Sequence, residues 1–305
     1  DCVSPGTPFD RKAMSDLDFS NTTPIKPAAQ PAAPPPPPVY NAAVAMDFFK
    51  SSGKPESFPA GATIFAEDEK GGLFKSPKMY VLLIGEVEMI AQNKVIGVVR
   101  AGETFGEMAV IANAARSATA RAKNACTLIG LDDKQYLVAL QAKPEFALML
   151  MAIMNERLRS TIQRLRASGS LHAGEAKEST VFDKKLLQGL TRLLAGQEPV
   201  LYPAGKMIMQ EGTGGAFMYI VLEGKVKITI KSGIVARAGQ GGVFGEMALV
   251  DQSVRAASAT AETDCSLLAI NRTAFLQLVK TSPAFGAALL SSLAQRAKDM
   301  AERNK

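Results

Sequence analysis

The residues best suited to chemistry come in two matching sets. Phe105-Gly106-Glu107-Met108-Ala109 is followed by Arg116-Ser117-Ala118, and Phe244-Gly245-Glu246-Met247-Ala248 by Arg255-Ala256-Ala257. In both sets the Arg stands nine residues after the Glu. Gly106 and Gly245 permit close backbone approach and torsions closed to other residues. The N–H groups of Met108 and Ala109, and of Met247 and Ala248, open brief helix candidates at 108–112 and 247–250, and unpaired helix N-terminal donors suit a phosphate. Arg116 and Arg255 offer planar forks to phosphate oxygens. Glu107 and Glu246 can accept a hydrogen bond from a sugar hydroxyl, and their carboxylates offset part of the Arg charge. One Arg and one Glu at this spacing would more often be solvated surface. The recurrence of the whole pattern is what gives it weight.

The sets sit inside a duplicated domain. An offset of 139 residues relates Arg116 to Arg255, Cys126 to Cys265, Pro144 to Pro283, Phe146 to Phe285, Met79-Tyr80 to Met218-Tyr219 and Gly85 to Gly224. Upstream, Pro59-Ala60-Gly61 recurs at Pro203-Ala204-Gly205 with an offset of 144, which places an insertion around 70–78 of the first copy. A repeat this long is a domain, not a solenoid unit. Each copy carries short aliphatic and β-branched runs: 62–66, 80–84, 87–91, 95–99 and 127–131, then 207–210, 219–222, 226–230, 234–236 and 266–270. Turn residues separate them, Gly85, Asn93 and Gly102 in one copy and Gly224, Gly233 and Gly239 in the other. Many short strands with regular turns predict an antiparallel barrel or jelly roll. A helical tail closes each copy. Phe146, Leu150, Ile153, Met154, Leu158, Ile162 and Leu165 form one stripe of helical period, and Leu289, Leu293 and Met300 a shorter one. Such a stripe fits packing on the domain's own barrel, and equally a dimer seam or a seam between the copies. Arg157 and Arg296 are repeat partners close to these stripes. Each is either a solvated helix Arg or a guanidinium that stacks on a ligand's base.

Both sets resemble the phosphate-binding cassette of cyclic-nucleotide-binding domains, the family of the catabolite activator protein, the regulatory subunits of protein kinase A and the cyclic-nucleotide-gated channels. The resemblance spans roughly 57–146 and 202–285, and includes the Pro-Ala-Gly entry turn, the Tyr80–Gly85 and Tyr219–Gly224 hairpin runs and the Glu-to-Arg spacing. It implies a mainly β fold with flanking helices: two tandem antiparallel β-rolls of jelly-roll, cupin-like type. It further implies cAMP as ligand, with cGMP compatible. The predicted nucleotide contacts are Gly106, Glu107, Met108, Ala109, Arg116 and Ser117, and Gly245, Glu246, Met247, Ala248, Arg255 and Ala256, with Arg157 and Arg296 as candidate base caps. The resemblance has departures. Only some twenty residues of helix follow the second copy, which leaves no room for a helix-turn-helix and predicts no specific DNA binding. The basic pair Arg11-Lys12 before Ala13-Met14-Ser15 does not match the inhibitor segment of kinase regulators, and no pore segment is seen.

Composition narrows the class. The chain has 305 residues, 47% apolar, with a formal net charge of +6. That suits two domains and permits an anionic ligand without implying nucleic acid. Its one histidine, His172, excludes a histidine triad or a multi-histidine metal site, and with them a metal-dependent phosphodiesterase, so no enzyme and no metal are expected. Cys2, Cys126 and Cys265 make no zinc spacing, and an odd, sparse count suits a reducing cytoplasm. Cys126 and Cys265 lie on strand candidates and read as buried thiols. The longest apolar run on a helix candidate, 146–154, is far short of the ~20 residues a membrane span needs. Proline crowds 24–38 and ends in the run Pro34–Pro38. Such a stretch favours extended polyproline and serves as a tether or as a docking ligand. The expected plan is a disordered tail at 1–43, a first domain at 44–166, a linker at 167–180 and a second domain at 181–305. The expected function is cyclic-nucleotide sensing by ligand-driven helix repositioning, with an unknown effector protein reached through the tail or the terminal helices, and a homodimer compatible. The rivals are a kinase-inhibitory regulatory subunit released by cAMP and a ligand-free interaction scaffold.

Overall fold

A computed structural model describes residues 40–71, 76–167, 178–194, 196–231, 233–251 and 254–302. The proline run, Cys2, the Arg11-Lys12 pair, His172 and most of the expected linker lie outside these residues. So do the side chains of Arg157, Ile162, Leu165, Ala248 and Met300, whose helices are described.

The first copy runs α1 (Ala42–Ser52), β1 (Lys54–Phe58), β2 (Thr63–Phe65), β3 (Met79–Ile84), β4 (Glu86–Ala91), β5 (Lys94–Arg100), β6 (Thr104–Phe105), α2 (Glu107–Ile111), β7 (Thr119–Ala122), β8 (Cys126–Leu131), α3 (Asp133–Ala142) and α4 (Glu145–Ala167). The second runs β9 (Glu178–Ser179), α5 (Lys184–Leu193), β10 (Val200–Tyr202), β11 (Met207–Met209), β12 (Phe217–Glu223), β13 (Val226–Ile230), β14 (Gly233–Ala238), β15 (Val243–Phe244), α6 (Glu246–Asp251), β16 (Ser258–Ala261), β17 (Cys265–Asn271), α7 (Arg272–Thr281) and α8 (Pro283–Glu302). Each copy folds as two sheets, β1-β8-β3-β6 with β2-β7-β4-β5, and β10-β17-β12-β15 with β11-β16-β13-β14-β9, antiparallel throughout except at β9. This is the expected double-sheet roll in both copies.

Local chemistry explains the elements. The β4–β5 hairpin closes with Gln92 and Asn93 at φ 49° and 61°, the left-handed pair that matches strand twist in a two-residue turn. Asp132 and Gln135 make a reciprocal capping box at the start of α3, and Asn271 caps α7. What reads as one helical tail is two helices in each copy. Pro144 separates α3 from α4, which bend by 110°, and Pro283 opens α8. No single helix among the described residues is long and apolar enough to cross a membrane.

Several expectations need correction. Helix α1 starts at Ala42, with Asn41 accepting from the N–H groups of Ala43 and Val44, so its first two residues lie inside the stretch read as tail. The linker's last residues are not a spacer. Glu178–Ser179 adds a fifth, parallel strand beside β14, and the N–H groups of Val181 and Phe182 both donate to Gly241 O at 3.0 Å. The short helices α2 and α6 begin at their Glu, one residue earlier than read. The turn partner of Gly102 is Gly241 rather than Gly239: these two carry φ of 88° and 76°.

The rolls have separate apolar cores, one around Leu82, Val87, Phe105 and Leu128, the other around Val221, Val226, Phe244 and Leu267. The helices share one core across both copies. Phe48 stacks on Phe146 in the first, Phe182 on Phe285 in the second, and Leu150 and Met154 of α4 join Leu289 and Leu293 of α8 in the same cluster. The α4 stripe therefore serves as a seam between the copies. The contacts also cross over: α2 rests on α8, and α6 on α4.

Candidate functional site

Gly106 and Gly245 adopt φ 73° and 77°, and a Cβ on either would fall within 3.0 Å of the guanidinium of Arg116 or Arg255. Both the torsion and the close approach therefore call for glycine. The following Glu starts α2 or α6, so the N–H groups at Met108 and Ala109, or Met247 and Ala248, are in the first turn and lack intrahelical partners.

Arg116 and Arg255 are only 6% and 5% exposed. Arg116 donates to Gly106 O at 2.8 Å and to Lys78 O at 2.7 Å, and its guanidinium carbon lies 4.0 Å from the centre of the Phe65 ring. Arg255 donates to Gly245 O at 2.8 Å, and Gly215 passes so close that no Cβ fits there. The main chain of each Arg also pins the loop after β2 or β11: Arg116 N donates to Glu69 O and Arg255 N to Thr213 O. Burial lowers both guanidinium pKa values; Tyr80 in one copy and Tyr219 in the other oppose the shift. Burial, and secondly the Glu56 charge, push the Tyr80 hydroxyl up to about 12.

In the second copy the predicted residues converge. Gly245, Glu246, Met247, Arg255, Ala256 and Arg296 line one cavity of about 730 Å³, within the size range of small-molecule sites. Glu246, 4% exposed, pairs with Arg296 at 3.3 Å, and Arg296 also donates to Val243 O at 3.0 Å. Arg296 thus reaches the pocket, held to the cassette carboxylate. Ala248 lies one residue further along α6. In the first copy Gly106 and Arg116 are in contact, Ala109 is buried, Met108 packs on the helical core and Ser117 is exposed. Arg157 is on α4, with its side chain outside the described residues.

Other wall residues had escaped sequence reading. Ser291, Ser292 and Gln295 of α8, Glu178–Val181 of the connector and Leu158 of α4 all line the cavity. The serine pair does leave a trace, since it interrupts the apolar run between Leu290 and Leu293. The connector and Leu158 leave none. Among the described residues no cluster of His, Cys, Asp and Glu could hold a metal ion.

Two jelly rolls, each with a buried Arg against a cassette helix that follows a left-handed glycine, the second with α8 lining its cavity, define a ligand-binding regulatory module built twice. The profile of the Cyclic nucleotide-binding domain family matches residues 55–143 and 199–282, more than half of the chain, and the chain belongs to that family. It is 28% identical over 222 residues to the cAMP-dependent protein kinase regulatory subunit of Yarrowia lipolytica, covering 72% of this chain and 52% of that protein. It is 39% identical over 104 residues to the Cyclic AMP receptor protein of Thermus thermophilus, covering 32% of this chain and 48% of that protein. The chain thus spans about half the length of each of these relatives. A solved structure of cAMP-bound PfPKA-R is 21% identical, with 85% of this chain and 89% of that one covered and a TM-score of 0.33.

Proposed function

We propose that this chain is a cytoplasmic, non-catalytic sensor that binds cAMP in both copies, with cGMP as a weaker alternative. The observation that supports it most is the cavity of about 730 Å³ in which Glu246, Arg255, Arg296 and the first turn of α6 meet. The Arg fork would take the cyclic phosphate, the first-turn N–H groups its remaining oxygens, and the Glu the ribose 2′-hydroxyl. Arg116, Glu107, Met108 and Ala109 would act alike in the first copy.

Each cassette helix rests on the terminal helix of the other copy. A ligand that draws a cassette inward shifts that helix, provided it binds the two helix positions with different affinity. The working plan is a tail at 1–43, sensor domains at 44–166 and 181–305, and a linker at 167–180 whose end is built into the second domain. The output would be a changed contact with an effector protein. The alternative, a regulatory subunit that holds a kinase inactive until cAMP releases it, is compatible with the similarity to the Yarrowia regulatory subunit.

Calorimetric titration of the full chain with cAMP and cGMP tests the reading. Two cAMP binding events per chain are expected. Absence of binding by a folded chain sinks the sensor reading and leaves the scaffold reading in its place.

A further inference from the structure

We propose that Phe65 is a positioning residue of the first site: its ring face holds the Arg116 guanidinium where the cyclic phosphate meets it. The second copy carries Met209 at this place, so its site orders Arg255 without that ring. The inference rests on the cyclic-nucleotide reading above and deepens it.

Phe65 ends β2, is buried, and has its ring centre 4.0 Å from the guanidinium carbon of Arg116. A guanidinium within about 6 Å of a ring centre is attracted by the negative face of the ring, most strongly where water is excluded. The ring is itself braced. It stacks on Tyr80 at 6.2 Å and packs on Phe105 at 5.9 Å, and these two stack on each other at 5.4 Å. Phe105 directly precedes Gly106, and Tyr80 follows Lys78 by two residues. The backbone that holds this aromatic trio therefore also holds the two carbonyls that accept from Arg116. A ring contact uses no N–H, so the donors not spent on Gly106 O and Lys78 O remain for phosphate oxygens.

The repeat supplies the comparison. Upstream of the cassettes the offset is 144, which relates Phe65 to Met209. The strand pairing agrees: Phe65 pairs with Ala120 and Met209 with Ala259, and these alanines are 139 residues apart. So does the packing. A Cβ on Gly106 would fall 2.9 Å from Arg116 Nη1 and 3.1 Å from Phe65 Cε1, and a Cβ on Gly245 would fall 2.8 Å from Arg255 Nη1 and 3.5 Å from Met209 Sδ. The thioether takes the place of the ring edge, but it is flexible and offers no quadrupole face. Met209 and Arg255 also border two cavities, of about 730 and 430 Å³, so open space adjoins the second Arg. Arg116 is thus fixed by a ring as well as by carbonyls, while Arg255 has Gly245 O and the close passage of Gly215.

The test uses the full chain with its second cassette silenced by Arg255→Ala, so that titration reads the first site. Affinity for cAMP is measured with phenylalanine and then with mono-, di- and trifluorinated phenylalanine at position 65. Fluorine withdraws charge from the ring face and leaves the ring's outline nearly unchanged, so packing is kept while the pull on the cation fades. Affinity should fall step by step, by about two- to tenfold over the series, which corresponds to ordering one rotamer-rich side chain on binding. Phe65→Met, which installs the second copy's residue, should give a loss of the same size. Circular dichroism checks folding of each variant. An affinity that stays level along the fluorinated series, or a loss in Phe65→Met that the series does not reproduce, overturns the assignment and leaves the sensor reading standing. Failure of the unaltered chain to bind cAMP overturns the sensor reading itself.

Discussion

Replacing Arg255 by Ala removes the group to which the proposed reading assigns the cyclic phosphate of the second site. The guanidinium is 5% exposed and already oriented by Gly245 O at 2.8 Å and by the close passage of Gly215. A phosphate joining it makes a charge-assisted contact in a largely dry pocket. Losing one partner of such a pair costs about 2–5 kcal/mol, or roughly 30-fold to several thousand-fold in affinity. Arg255→Lys should fail nearly as badly, since a point charge cannot reproduce the fork. From the sequence alone, such substitutions look harmless to folding. The structure changes that expectation, because the Arg also serves carbonyls of its own domain. Arg255→Ala removes the hydrogen bond to Gly245 O, a net loss of about 0.5–1.5 kcal/mol, while that carbonyl keeps the first helical N–H as donor. Arg116→Ala removes the hydrogen bonds to both Gly106 O and Lys78 O and gives up the Phe65 face, so it should lower the melting temperature more than Arg255→Ala does. Titration gives stoichiometry and dichroism gives folding: each single variant should keep one cAMP site and the double variant none. A folded double variant that binds two nucleotides at parental affinity would refute the cassette assignment.

Four further outcomes follow from the same geometry. Asn155 is 1% exposed on α4, and among the described residues neither its amide oxygen nor its nitrogen has a hydrogen-bond partner. Asn155→Leu should therefore raise stability by about 1–3 kcal/mol in denaturant unfolding, and an unchanged midpoint contradicts this. Arg296→Ala frees the Glu246 carboxylate and should weaken the second site at least severalfold; unchanged affinity removes Arg296 from the ligand's surroundings. Ser117 carries a hydroxyl where Ala256 has none, so the first site should discriminate less between cAMP and cGMP. The shared helical core makes single-site variants of the full chain the proper test, and tighter cGMP than cAMP binding at the second site would contradict the reading. DNA affinity should be weak, sequence-independent and steeply salt-sensitive; recovery of one consensus duplex by selection at physiological salt would overturn that.

The internal repeat made much of this molecule readable before any coordinates. Strands β3, β4, β5, β8 and their partners in the second copy are aliphatic runs bounded by turn residues, and hydrophobic pattern finds such runs. The strands that escaped are short or at edges. β6 and β15 have two residues each, and β1 begins Lys54-Pro55-Glu56, a composition with no strand signal of its own. Helices α1 and α5 lie at the starts of the two expected domains, upstream of the repeated runs and cassettes, where the repeat carries no signal for them.

By itself the sequence determined the duplication and the jelly-roll class, and it held the Gly, Glu and Arg of each set within one short segment of chain. Only the tertiary structure decided what covers them. A helical stripe such as Phe146–Leu158 states that one face is buried and is silent about the partner. Its partner is the other copy: α4 lies on α8 and α6, Leu158 reaches a cavity whose cassette follows it by almost ninety residues, and Glu178–Val181 forms another part of the wall. Periodicity records local geometry, whereas the surface that closes a pocket is chosen by long-range packing, which has no period.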